Sequence, residues 1–517
     1  MEHATYTRML GDLAGQCPDA PALCYKGETA QKLTFRELDL FSSLAAEKLI
    51  SAGCTKGMAI PVVLNRGLDC VVWALGVIKT GATAVQLAPD VPLNRARYIF
   101  EDTGAPFILT HQDLAHRFPG CPCETVAADL WQSETWQTGA RQSESLRQAQ
   151  AARENLLSGD TPMLVYYTSG TTGNPKGVVF THANVLGFAR RHNAFNNITA
   201  DTRVAAFATV SFDAFVMDLY APLAAGARVF LLGEEERISL VALHRYYMRH
   251  KLHLSFLTTR VGEAYMQAFD NPHLRRLLTG GEVLREFVPR SYEVFNIYGP
   301  TETTAYVTAF PITRPLSDYP LGQALPGMKV MLLDENLAPC PPGRTGEICI
   351  SGDQVSAGYL NQPLKTAQGF TANPLYDPGK EAPAFSRMYR TGDLGLLGQD
   401  GQIYFRGRKD HQIKIRGCRI ETIEVETALL AHPEVRQAHV RPFTRGNGET
   451  GLAAYVVRCA GQTGTDAFFH SIKAYLKDTL PAQMIPGRMA ELPSLPLNAN
   501  GKVDGAALAD PGTLGRL

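Results

Sequence analysis

The chain carries no surplus of either charge: 50 Lys and Arg stand against 50 Asp and Glu in 517 residues. So balanced a chain has no electrostatic footprint for nucleic acid or an anionic membrane, which excludes polyanion binding as its main task. Long apolar runs are missing too. No stretch reaches the ~18 apolar residues of a membrane span, and the segment from Met1 to Leu10 has no apolar run of signal-peptide length, so a cytoplasmic protein is expected. The ten cysteines, at positions 17, 24, 54, 70, 121, 123, 340, 349, 418 and 459, form no framework. Only Cys121 and Cys123 are close neighbours, and no second Cys or His pair follows at zinc-site spacing. Buried free thiols are therefore expected.

What is present is core-forming material, with 45% of residues hydrophobic. At about 150 residues per domain, the length suggests roughly three domains, or one large and one small. The segment from Leu33 to Leu38 opens an amphipathic helix that continues through Phe41, Leu44, Ala45 and Leu49, and Thr34 with Glu37 fits a capping box. Residues 133–159, rich in Gln, Ser, Ala, Glu and Arg, read as a polar surface helix or loose connection. Short apolar runs follow at 163–167, 228–232, 294–295, 329–333 and 347–350, as expected of buried strands in an α/β core. The texture changes near residue 406. A period-two strand at 412–416 precedes a helix with Ile423, Thr427 and Leu430 on one side, strands at 437–443 and 453–458, and a helix around 468–480. That predicts an α+β C-terminal domain, 408–517, after a large domain, 1–407.

The richest chemistry lies in Thr168-Ser-Gly-Thr-Thr-Gly-Asn-Pro-Lys-Gly177, directly after a predicted strand. Glycines free backbone N–H groups to converge, hydroxyls of Thr168, Ser169, Thr171 and Thr172 add donors, and Lys176 adds a positive charge. This is an oxyanion cradle. It is not a Walker loop, because a proline precedes Lys176 and a glycine follows it.

The stretch resembles the phosphate-binding signature of the adenylate-forming superfamily, which includes acyl-CoA synthetases, luciferases and adenylation domains of nonribosomal peptide synthetases. Five further segments resemble its core motifs in order: Asn296–Thr303, Gly346–Gly352, Tyr389–Leu394, Gly407–Glu421 and Asn500–Asp504. The resemblance implies a large adenylate-forming domain of mixed β-sheets with flanking helices, and a small mobile C-terminal lid. It implies that ATP is held by Thr168, Ser169, Gly170, Thr171, Thr172, Gly173, Gly281, Glu282, Asn296, Tyr298, Gly299, Thr301, Asp393 and Arg408. Tyr298 would stack on adenine, Thr301 meet the α-phosphate, and Asp393 bind the ribose. Glu302 would hold Mg²⁺, a cation that prefers oxygen ligands. Lys502, with Lys176 and Glu302, would be catalytic, and Asp410 would be the hinge of the lid.

Asp213 falls where amino-acid-activating members of this family pair the substrate ammonium. Carried over in the same way, the pocket comprises Ala214, Met217, Phe256, Leu278, Gly280, Ile297, Ala305 and Tyr306; around Phe256 the chain departs from the usual proline-containing pattern. None of these residues is charged, so a medium aliphatic L-amino acid such as valine, leucine or isoleucine is expected, with alanine as the fallback. Gly280, Ala214 and Ala305 leave room. Neither a phosphopantetheine-bearing module nor a condensation motif is found, so the expected acceptor is the phosphopantetheine thiol of a separate carrier protein, with a small MbtH-like activator as a candidate partner. A D-alanine carrier-protein ligase or an acyl-CoA ligase would share the nucleotide motifs, and a non-catalytic module built on this fold is a third reading.

Overall fold

Alternating helices and strands are what this hydrophobic pattern produces. The computed structural model describes residues 5–26, 31–126, 143–170, 173–409, 412–415, 417–445, 449–459, 465–496, 503–504 and 507–516. Thr171, Thr172, Asp410 and Lys502 lie outside the described residues, as does the whole segment 133–142. The chain forms two units. One holds Met1–Pro89, Phe100–Tyr167 and Gly177–Lys409; the other gathers Asp90–Ile99 and Thr168–Lys176 with Asp410–Leu517.

The first unit is built on three sheets. A nine-stranded sheet runs in the order Gln323–Ala324, Thr308–Ile312, Glu293–Tyr298, Arg276–Gly280, Leu254–Thr258, Arg203–Ala206, Arg228–Leu231, Pro21–Tyr25 and Gln31–Thr34. Its centre is parallel and both edges are antiparallel. That explains why the central strands read as short continuous apolar runs: helices cover both faces. A seven-stranded sheet contains Ala59–Val63, Thr83–Leu87, Pro162–Thr168 and Lys176–Thr181, and a five-stranded sheet spans 329–408. One hydrophobic cluster joins strands of the two larger sheets to the helices Phe35–Ser51, Leu68–Lys79 and His182–Phe195. The helix at 35–51 starts as its sequence demands. Thr34 Oγ1 accepts from Glu37 N at 3.2 Å, and Glu37 Oε2 accepts from Thr34 N at 2.8 Å.

The second unit has its own core beneath the sheets Gln412–Ile415/Cys418–Glu421 and Val435–Thr444/Thr450–Arg458/Arg488–Glu491/Gly515–Arg516. Its helix Thr422–Leu430 forms where expected, but Ile423 and Leu430 face solvent, 41% and 48% exposed, while Val425, Ala428 and Leu429 are buried. The predicted side is the outer one; the strand Val435–Thr444 covers the other. All ten cysteines are free, four buried and six half-buried. Among the described residues, no helix is long and apolar enough to cross a membrane.

One buried ionic network fixes the strand ends that lead to Asp213. Arg66 donates to Leu232 O and Ala208 O, each at 2.7 Å, and also to Ala206 O. Asp218 accepts from Phe207 N at 2.9 Å and Ala208 N at 2.8 Å. Burial pushes the Asp218 carboxyl up to about 7, although those two N–H groups and the Arg66 charge oppose the rise. A carboxyl raised on folding binds a proton more tightly when folded. Its contribution to stability is fully present below the unfolded value near 3.8 and is lost as pH rises through about 7. Asp218→Asn should therefore gain thermal stability relative to the parent as pH goes from 4 to 8. Parallel melting curves with no such convergence or crossing would contradict this assignment.

Candidate active site

In the first unit, three of the residues expected to bind ATP touch one another. Asp393 and Arg408 are register partners on neighbouring antiparallel strands, so their side chains meet. Arg408 Nη1 bonds Asp393 Oδ1, and Arg408 Nη2 donates to Thr391 O at 3.1 Å. The Tyr298 hydroxyl donates to Asp393 Oδ2 at 2.6 Å. Burial, then the Asp393 charge, pushes the Tyr298 hydroxyl far above its ordinary range, so it stays protonated and a donor. Asn296 lies two residues back on the same strand, its Nδ2 on Pro320 O at 2.7 Å.

The turn after Tyr298 presents Thr301 and Glu302. Glu302 is fully buried, and the Tyr359 hydroxyl donates to its Oε1 at 2.8 Å. Thr304 and Ala305 both adopt left-handed backbone, at φ +53° and +67°, which is costly for residues with a Cβ. Gln354 secures this strained pair. Its Nε2 donates to Tyr306 O at 3.1 Å and Thr303 O at 3.3 Å, and its main-chain carbonyl accepts from Thr304 Oγ1 at 2.8 Å. Gly281, at φ +100°, and Glu282 follow the strand Arg276–Gly280; Glu282 N donates to Thr259 Oγ1 at 3.2 Å.

The expected pocket residues lie in the core of the first unit. Ala214, Met217, Phe256, Leu278, Ile297, Ala305 and Tyr306 are buried members of a single cluster. Parallel pairing sets Phe256 beside Leu278, and Gly280 beside Ile297. A Cβ on Gly280 would collide with Ile297 O and come within 2.9 Å of Ile297 Cγ1. The room expected at Gly280 is thus already filled by Ile297, and the glycine serves strand packing. Asp213 is buried at the head of the turn into the helical segment Val216–Tyr220. Its charge, after burial and Tyr220, contributes to raising the Tyr166 hydroxyl.

In the second unit, the glycine-rich loop is shaped as its composition requires. A Cβ at Gly170 would collide with Asn174 O, so only glycine lets the loop close. Gly170 N points at Glu424 Oε2, 3.3 Å away, and Ser169 Oγ donates to Arg419 O at 2.7 Å. Arg95 binds the other Glu424 oxygen at 2.6 Å. Gly173 N donates to Gly170 O at 3.1 Å, and Lys176 is buried where the next strand begins. Thr168 Oγ1 is buried without a partner. A loop amide turned toward a carboxylate oxygen has the chemistry of an anion cradle.

Among the described residues, no three His, Cys, Asp or Glu side chains gather to hold a metal. The buried oxygen donor Glu302 fits Mg²⁺ only as a single protein ligand, which is how that ion binds when phosphates and water complete its shell. Sequence reading missed Gln354, Asp218, His192 and Asn196. Asp218 was discoverable, five residues after Asp213 in an otherwise apolar run; Gln354, His192 and Asn196 carry no local signal.

Residues 12–360 match the AMP-binding enzyme family, and residues 424–502 match the AMP-binding enzyme C-terminal domain. The chain belongs to the AMP-binding enzyme family. It is 34% identical over 504 residues to bacitracin synthase 1 of Bacillus licheniformis, covering 98% of this chain but only 9% of that protein. A four-domain nonribosomal peptide synthetase, holo-AB3403, solved with AMP and glycine bound, is 28% identical, with a TM-score of 0.66 over 99% of this chain and 37% of the other. The o-succinylbenzoate CoA synthetase of Bacillus subtilis shares the fold at 21% identity, with a TM-score of 0.77 and full coverage of both chains.

The Asp393–Arg408 pair should be energetically coupled, because each charge is largely removed from water. A double-mutant cycle with Asp393→Ala and Arg408→Ala, read by denaturant unfolding, should give a coupling of at least ~1 kcal/mol. Additivity within ~0.5 kcal/mol would show that the two do not act as a pair.

Proposed function

We propose that this protein activates an L-amino acid with ATP, forming an aminoacyl-AMP and pyrophosphate, and then passes the aminoacyl group to the phosphopantetheine thiol of a carrier protein. The observation that carries the reading is a buried carboxylate, Asp213, in the same segment as the charge-free residues Ala214 and Met217. An α-ammonium beside Asp213 would offset the carboxylate charge, and an aliphatic side chain would lie against Phe256, Leu278 and Ile297. Valine, leucine or isoleucine fits best, with alanine as the fallback.

In this reading the substrate carboxylate oxygen attacks the α-phosphorus of ATP, and the bond to the bridging oxygen breaks, releasing pyrophosphate. Positioning and charge stabilisation do most of the work in such transfers. The loop Thr168–Gly173 and Lys176 hold phosphate oxygens, Tyr298 packs on the base, and Asp393 with Arg408 addresses the ribose. Glu302 is the protein ligand for Mg²⁺, which would offset phosphate charge. Lys502 steadies the charge that develops on the reacting oxygens. Thiolation then follows lid rotation about Asp410.

Amino-acid-dependent exchange of labelled pyrophosphate into ATP tests the first step. The panel should include the twenty proteinogenic amino acids, D-alanine, and fatty and aryl acids, with and without an MbtH-like protein. One aliphatic L-amino acid should dominate, and Asp213→Ala should lower its exchange by about 100-fold or more, the loss expected when a buried charge pair is broken. Exchange only with fatty or aryl acids would establish the CoA-ligase alternative instead, and preference for D-alanine the carrier-ligase one. Asp410→Pro should leave exchange intact while abolishing loading of a separately supplied carrier protein. Equal loss of both steps would refute the hinge.

A further inference from the structure

Tyr306 is held more tightly than packing alone requires. It follows the left-handed pair Thr304–Ala305, and its carbonyl is bound by Gln354. The helix His182–Phe195 approaches its phenol with two polar side chains. Asn196 Nδ2 donates to the hydroxyl at 3.2 Å and also to His192 O at 2.9 Å. His192 Nδ1 is 3.1 Å from the same hydroxyl; because the phenol accepts from Asn196, it donates to Nδ1 in the tautomer that carries its hydrogen on Nε2. The ring is pinned as well: Phe188 and His192 meet it edge-on at 5.5 and 5.7 Å, with interplanar angles of 86° and 73°.

The arrangement has a cost. With Nδ1 accepting, the His192 proton sits on Nε2, which is buried without a partner, as is Asn196 Oδ1. Burial holds the imidazole down to about 3, so it is neutral across the assay range and gains no ion pair in return. An unmet buried donor and an unmet buried acceptor both weaken the fold. Apolar side chains of similar size would remove these two unmet atoms but would leave the buried Tyr306 hydroxyl without a partner. What His192 and Asn196 share is the Tyr306 phenol, which both hold while a polar atom of each goes unmet.

We propose that His192 and Asn196 are specificity-positioning residues: they fix Tyr306 as the end wall of the side-chain pocket and so set the longest amino-acid side chain that can be activated. This rests on the reading of Tyr306 as a pocket residue and deepens it. A released phenol could turn away from the cluster and lengthen the pocket; a held one cannot.

The test is pyrophosphate exchange on the full chain, comparing kcat/KM for methionine and phenylalanine with that for the best aliphatic substrate. In His192→Phe/Asn196→Leu this ratio should rise about tenfold or more, whichever way the thermal midpoint moves. His192→Gln, which keeps an acceptor for the phenol, should return the ratio toward the parent value. Tyr306→Phe, which loses only the hydroxyl, should broaden the ratio in the same direction and serves if the double variant does not fold. An unchanged ratio in Tyr306→Phe or in a folded double variant overturns the proposal, even if the midpoint falls. Failure of the parent to exchange with any amino acid overturns the underlying reading as well, so the two failures are told apart by the parent alone.

Discussion

A single guanidinium, Arg66, organises the part of the first unit that carries Asp213. It bonds the carbonyl of 206, the last residue of its strand, and those of 208 and 232, just past the ends of two parallel strands. Asp218 takes the N–H groups of 207 and 208, so both kinds of orphaned backbone group are satisfied by one buried pair of side chains. The segment between, which carries Asp213, Ala214 and Met217, is thereby fixed at both ends. Even Arg66 pays for its burial: its pKa is lowered to about 10 by desolvation first, with Arg237 adding to the effect.

The cluster around Asp393 relies on a different device, cross-strand register. Asp393 and Arg408 meet because the antiparallel strands pair residue against residue, and Tyr298 reaches them from the end of a strand in another sheet. Residues from two distant stretches of sequence thus form a cluster that needs no loop to hold it. By contrast, the glycine-rich loop is stabilised within its own unit, where Glu424, itself bound by Arg95, meets its amide and Arg419 O its hydroxyl.

The sequence was most legible where local rules act alone. The capping box at Thr34 and Glu37 and the strands at 329–333 and 345–351 follow from short-range pattern, as does the closed turn at Gly170. It was least legible where tertiary partners choose. The helix Thr422–Leu430 was recognisable, yet its buried face was not, because Ile423 and Leu430 are as apolar as Val425 and Leu429 and only the adjoining strand decides between them. Gly280 read as empty space because a missing side chain looks the same from sequence whether the gap is open or filled by Ile297. His192 and Asn196 were invisible for a related reason. Their partner, Tyr306, lies more than a hundred residues away, and nothing in their own helix marks them.

The left-handed turn at Thr304–Ala305 bears on how such a pocket could change over time. A position on a regular strand, such as Phe256 or Leu278, can exchange one apolar side chain for another while its backbone stays comfortable. Ala305 has less freedom, because its left-handed backbone at φ +67° is costly for any residue with a Cβ and its neighbours Thr303, Thr304 and Tyr306 are all held by Gln354. Side-chain exchange is therefore easier at the strand positions than at this turn, whose shape is set by the main chain and its anchor.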